Sequence, residues 1–87
     1  IAPEREKKTL VLDKAYYVVG SDESAEIRLP GLLVPAKAGV IVKGDHGFRI
    51  LGLSRRLRVN GRHVADGPLA DGDLVQVGRR RFRFCQS

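Results

Sequence analysis

The sequence predicts an all-β fold, a sandwich of short and mostly antiparallel strands, and three observations carry that prediction. Apolar residues alternate with polar ones in run after run, which is the period of half-buried strands. Turn-forming residues interrupt the runs every ~8–12 residues, as in a sandwich. No stretch shows the 3.6-residue apolar period of a helix.

Residues 1–8 are charged, carry Pro3 and lack an apolar period, so they read as a linker or disordered arm, with the folded domain at 9–87. Strand signals then follow in order: Leu10/Leu12, Tyr17/Val19, Ile27/Leu29 around Arg28, the same alternation in Val40–Val42, Phe48/Ile50 around Arg49, Leu57/Val59 around Arg58, Val75/Val77 around Gln76, and Phe82/Phe84 around Arg83. Between them lie Gly20-Ser21-Asp22, Pro30-Gly31, Asn60-Gly61, Asp66-Gly67-Pro68 and Asp71-Gly72. Asn60-Gly61 is the strongest of these signals, because both residues tolerate the positive φ of a two-residue type I′ turn. It should join 57–59 to 62–64. The stretch Leu32-Leu33-Val34-Pro35 is apolar but broken by proline, and reads either as a loop tucked under a sheet edge or as an exposed sticky patch. The expected buried set is Leu10, Val19, Ile27, Leu29, Val40, Val42, Phe48, Ile50, Leu57, Val59, Leu69, Val75, Val77, Phe82 and Phe84.

Composition narrows the function. At 87 residues the chain holds one domain at most, and 43% hydrophobic content is enough for a core. The single Cys85 cannot form an internal disulfide, which favours a reducing, cytoplasmic compartment. No apolar run reaches the ~18 residues of a membrane span, so this segment is expected to be soluble and not to insert, although a membrane-anchored parent is compatible with it. It begins with Ile1 rather than Met, as expected of a module cut from a longer protein. His46 and His63 fall in or beside turns, the paired acids Asp22-Glu23 and Asp71/Asp73 have turn chemistry, and neither a nucleophile motif nor metal-ligand spacing occurs. A binding module without cofactor or metal is the expectation, not an enzyme.

The net charge of +6 lies in the second half: residues 1–45 hold seven basic and seven acidic groups, residues 46–87 nine and three. Arg55, Arg56, Arg58 and Arg62 surround one hairpin, and Arg79, Arg80, Arg81 and Arg83 crowd the last turn and strand. Outward alternation on a solvated sheet accounts for part of this pattern. An acidic or phosphorylated protein partner accounts for it functionally, and nucleic acid less well, since aromatic residues are only 6% and offer no stacking platform.

The order of these segments resembles the forkhead-associated (FHA) domain. Tyr17-Val18-Val19-Gly20-Ser21 followed by Ala25-Glu26-Ile27-Arg28-Leu29 is similar to the family's opening. Val59-Asn60-Gly61 ahead of Leu69-Ala70-Asp71-Gly72-Asp73-Leu74-Val75-Gln76-Val77-Gly78 is similar to its close, and Arg81-Phe82-Arg83-Phe84 fits its terminal strand. The resemblance implies a sandwich of about 11 strands whose loops at one end read phosphothreonine.

The reading residues are where this chain departs. Ser21, followed by Asp22 and Glu23, stands where the family has arginine. Pro35-Ala36-Lys37-Ala38 stands in the Ser-x-x-His loop, and Ser54-Arg55-Arg56-Leu57 in the Ser-x-Asn-Gly-Thr loop. The opening Gly20-Ser21-Asp22 through Ile27-Arg28-Leu29 also resembles degenerate FHA-like domains on the cytoplasmic side of inner-membrane ring proteins in bacterial secretion machinery, which act as docking or scaffold modules.

The leading expectation is therefore a phospho-independent protein-interaction or scaffold module. Phosphothreonine binding through a rebuilt site of Ser54, Arg55 and Lys37 is the alternative, and nonspecific nucleic-acid or acidic-surface binding by the basic half is a second alternative. The candidate ligand-binding residues are Ser21, Lys37, Ser54, Arg55, Arg56 and Asn60.

Overall fold

The computed structural model describes residues 2–3 and 13–85. They form two five-stranded sheets packed face to face. The first sheet has the order β1 (Ala2–Pro3), β10 (Arg80–Arg83), β9 (Leu74–Val77), β6 (Leu57–Val59), β7 (Arg62–His63). The second has the order β3 (Ile27–Arg28), β2 (Tyr16–Gly20), β4 (Gly39–Gly44), β5 (Gly47–Gly52), β8 (Asp66–Leu69). Every pairing is antiparallel except β2 with β3, and the described strands are somewhat fewer than the eleven that the family resemblance implies. Part of the opening segment, Ala2–Pro3, pairs with β10 as an edge strand. The boundary expected at residues 8/9 and the expected core residue Leu10 lie outside the described residues.

The inner faces meet in a core with no buried polar or charged side chain among the described residues. Leu57, Val59, Val75, Val77 and Phe82 come from one sheet and Tyr17, Val19, Ile27, Ile41, Ile50 and Leu69 from the other. Phe84 closes the far end, its ring meeting Phe48 edge-on with centroids 5.1 Å apart. Tyr17 is buried without stranding its hydroxyl, which accepts the Lys14 N–H and donates to Asp13 Oδ1. Pro68 falls on the edge strand β8, where a missing N–H donor is tolerated.

Two expected core residues have the opposite phase. Val40 and Val42 are half-buried on the outer face, and the side chain that turns inward is Ile41. An unbroken apolar triplet carries no period, so register decides: Ile41 lies between Tyr17 on β2 and Ile50 on β5, both inward. Phe48 is only partly buried, packed on the core's margin. The alternatives left open for residues 32–35 are divided between neighbours, since Val34 is buried while Leu32 and Leu33 are exposed.

The Asn60-Gly61 hairpin forms where expected. Val59 pairs with Arg62, and φ is +52° at Asn60 and +82° at Gly61, as a type I′ turn requires. The returning strand is Arg62–His63, one residue shorter than 62–64.

Candidate functional site

Strand direction gathers four loops at one end of the sandwich. β2 and β5 end there, β4 and β6 begin there, and β9 turns into β10 at 78–79, as the registers Val19↔Gly39, Gly39↔Gly52 and Leu57↔Val77 require. Backbone hydrogen bonds tie these loops to one another. Ser21 N–H donates to Pro35 O at 2.9 Å, Asp22 N–H to Ala36 O at 3.3 Å, Leu53 N–H to Ala38 O at 2.9 Å, and Gly78 N–H to Arg56 O at 3.4 Å. The approach of the first two loops is close enough that a Cβ on Gly20 would lie 2.0 Å from Ala36 O.

Five of the six expected site residues are brought to this end. Ser21 is half-buried, its N–H held by Pro35 and its carbonyl accepting from Arg28 Nε at 3.3 Å. The neighbouring Asp22 carboxylate accepts the Ser24 N–H at 3.1 Å. Ser54 Oγ accepts the Arg56 N–H at 3.1 Å, a local turn that leaves its hydroxyl proton to donate elsewhere. Arg56 Nη1 reaches Leu33 O at 3.5 Å, whereas Lys37 and Arg55 are exposed and make no side-chain hydrogen bond or ion pair among the described residues. Where the family resemblance places serine and histidine stand Pro35, whose carbonyl is already used, and Ala38, which is fully buried.

The sixth residue, Asn60, sits at the opposite end of β6, and its amide is committed there. Nδ2 donates to Asp73 Oδ1 and Oδ1 accepts from Leu74 N–H, both at 2.9 Å. Asp73 Oδ2 also accepts the Ala70 N–H at 2.8 Å, so Asn60 buckles the hairpin tip to the 70–73 turn.

At the edge of the loop end, Glu26 Oε1 accepts the Val18 N–H at 2.8 Å, completing β2 where the two-residue β3 has not yet begun. That bond, aided by the residue's own N–H and by nearby Lys14, holds the Glu26 carboxyl below its ordinary range against a small desolvation.

Leu53 and the 79–80 arginines also belong to this end, which no local pattern in the sequence indicated. Leu32, Leu33 and Leu53 are exposed here, and Arg80 Nε donates to Pro30 O at 2.7 Å. The apolar stretch 32–35 was the available signal, but only the fold shows which turn it faces. Taken together, the loop end offers guanidinium and ammonium donors, exposed leucines and serine hydroxyls. Among the described residues no group of His, Cys, Asp and Glu is placed to hold a metal ion.

Known structures share this architecture. A domain solved in a study of phosphothreonine-dependent FHA domain interactions matches with a TM-score of 0.90 and 21% identity, over 99% of this chain and 93% of that one. An FHA domain in complex with the intracellular domain of another protein matches with a TM-score of 0.84 and 23% identity, over 92% and 91% of the two chains. The FHA domain of a Chlamydia trachomatis protein matches with a TM-score of 0.79 and 27% identity, over 87% and 81%. No family model and no curated protein matches the chain. The chain thus has the β-sandwich fold of these forkhead-associated domains.

Proposed function

We propose that this domain is a protein-interaction module that recognises its partner through the loop end without requiring phosphorylation. The observation that carries the reading is the loss of fixed phosphate donors at that end. The serine position is Pro35, the histidine position is the buried Ala38, and the arginine position is Ser21 beside the Asp22 carboxylate. A nearly dianionic phosphate needs several convergent charge-assisted hydrogen bonds to offset its desolvation, and a fixed carboxylate repels it. Arg55 and Arg56 are the polar anchors of this reading. The FHA domain held in complex with another protein's intracellular domain supports a protein partner. The finer placement, a scaffold module on the cytoplasmic side of an inner-membrane ring, rests on the Gly20-Ser21-Asp22 opening.

One observation favours a second reading. The fold brings Lys37, Ser54 and Arg55 to the same end, and a structural neighbour comes from phosphothreonine-dependent interactions. Calorimetric titration of a degenerate phosphothreonine peptide library, with unphosphorylated and phosphoserine controls at ~0.15 M salt, separates the two. No phosphothreonine selectivity is expected. Micromolar binding confined to phosphothreonine and abolished by Arg55→Ala or Ser54→Ala would establish the rebuilt site instead.

A further inference from the structure

Between the 30–34 loop and the 78–80 turn lies an open groove of about 420 Å³, lined by Gly31, Leu32, Leu33, Val34, Arg79 and Arg80. Its apolar character comes from one side. Val34 is buried, Leu33 is 42% exposed, and Leu32 stands wholly in solvent at 103%. Exposed leucines side by side at a concave surface mark an interaction site far more often than isolated ones do. Hydrogen bonds and close contacts hold the walls in place. Arg80 Nε bonds Pro30 O at 2.7 Å, Val34 N–H bonds Gly31 O at 3.3 Å, and Gly78 lies so close that a Cβ there would be 2.9 Å from Leu33 O.

The rim is cationic. Arg79 and Arg80 line the groove, and Arg56 Nη1 reaches the Leu33 carbonyl beside it. None of the three has a carboxylate partner among the described residues, where the ion pair present is Arg49–Asp66. No acidic residue lines the groove.

We infer that this groove binds an acidic segment of a protein partner that inserts one bulky apolar side chain between Leu33 and the stem of Arg80. An apolar floor is matched by a leucine, isoleucine or phenylalanine, and guanidiniums without a carboxylate partner are matched by flanking carboxylates through their remaining N–H donors. A nucleic acid would satisfy the rim but leave the leucines unused. The inference rests on the protein-interaction reading and moves its centre from Arg55 toward Arg79.

The test uses the 87-residue chain and a panel of decapeptides with a central Leu, Phe or Ser and flanks of Asp/Glu, Gln or Lys, followed by fluorescence anisotropy and by amide chemical shifts. Acid-flanked Leu and Phe peptides are expected to bind, with shifts at 31–34 and 78–80. Replacing the central residue by Ser should weaken binding about tenfold, since burying a leucine side chain is worth at least that. Leu32→Ser and Arg79→Glu alter exposed side chains, and each should weaken binding about tenfold with the melting temperature unchanged. Binding that ignores the central residue would overturn the inference in favour of bare charge attraction, and the absence of binding by any peptide would overturn it outright. Shifts confined to 37 and 54–55 would overturn the groove while leaving the interaction reading in place. Binding that appears only when a threonine in the peptide is phosphorylated would overturn both.

Discussion

Gly20 ends β2 where the chain passes beneath the 30–38 loop, and a Cβ placed on it would come within 2.0 Å of Ala36 O, which leaves a side chain nowhere to go. The obstacle is backbone, so relief requires the Ser21–Pro35 and Asp22–Ala36 hydrogen bonds to part. Gly20→Ala is expected to cost about 1–3 kcal/mol in urea unfolding, as overpacking does, and to disturb the amide shifts of 21–22 and 35–36 before those of the core. Glu26 offers a pH-dependent counterpart. Its folded-state pKa lies below the ordinary value of 4.5, so folding favours the charged form, and that stabilisation is fully present above pH 4.5 and is lost as pH falls through the lowered value. The stability difference between the wild type and Glu26→Gln should therefore shrink as pH drops below 4.5, and it should stay small throughout because the carboxyl is solvent-exposed. A difference that grows with acidification would contradict the Val18 hydrogen bond as its source.

At the scale of elements, the hairpin tip and the terminal strand support the sharpest expectations. Gly61 has a φ of +82° with open space around it, so Gly61→Val strains the backbone without any clash and should cost about 1–3 kcal/mol. Asn60 and Asp73 hold the adjacent turn, so the loss should be read as coupled melting of that end and not of the loop end. Phe82 is fully buried on β10, and Phe82→Ala should cost about 3–5 kcal/mol, a large part of the about 5–15 kcal/mol that holds a small domain folded. Thermal melts of both variants check these values. These two features were legible in the sequence because each rests on local chemistry: a dipeptide that accepts positive φ, and aromatics alternating with arginines. The phase of 40–42 was not legible, because three successive apolar residues fit either face until Tyr17 and Ile50 fix the register across three strands. The site was half legible for a related reason. Arg55, Ser54 and Lys37 could be placed by resemblance, but the approach of Leu33 to Gly78 and Arg80 joins residues far apart in the chain, and no spacing announces it.

The whole molecule has two unlike outer faces. On one sheet, His63, Arg58, Gln76 and Arg81 stand directly across β7, β6, β9 and β10 in a single row, so two of the second-half arginines, Arg58 and Arg81, form a short basic stripe on an exposed surface. On the other sheet the outer row Val18, Val40 and Leu51 is apolar, and its neighbour Arg49 is neutralised by Asp66 at 2.8 Å. A basic stripe attracts any polyanion, so weak DNA binding in dilute buffer is expected and does not by itself argue for a nucleic-acid function. Counterion release gives the discriminating measurement. If about three phosphates are neutralised, affinity for a DNA duplex should fall about twentyfold between ~0.05 and ~0.15 M salt, independent of sequence. Arg58→Gln with Arg81→Gln should flatten that salt dependence by about two phosphates. The same pair should leave acidic-peptide binding at the groove unchanged, since neither arginine lines it. Binding that persists at physiological salt, or that prefers one DNA sequence, would make the stripe a nucleic-acid site; a steep and sequence-blind loss is what bare charge attraction gives, and it leaves the proposed loop-end interaction untouched.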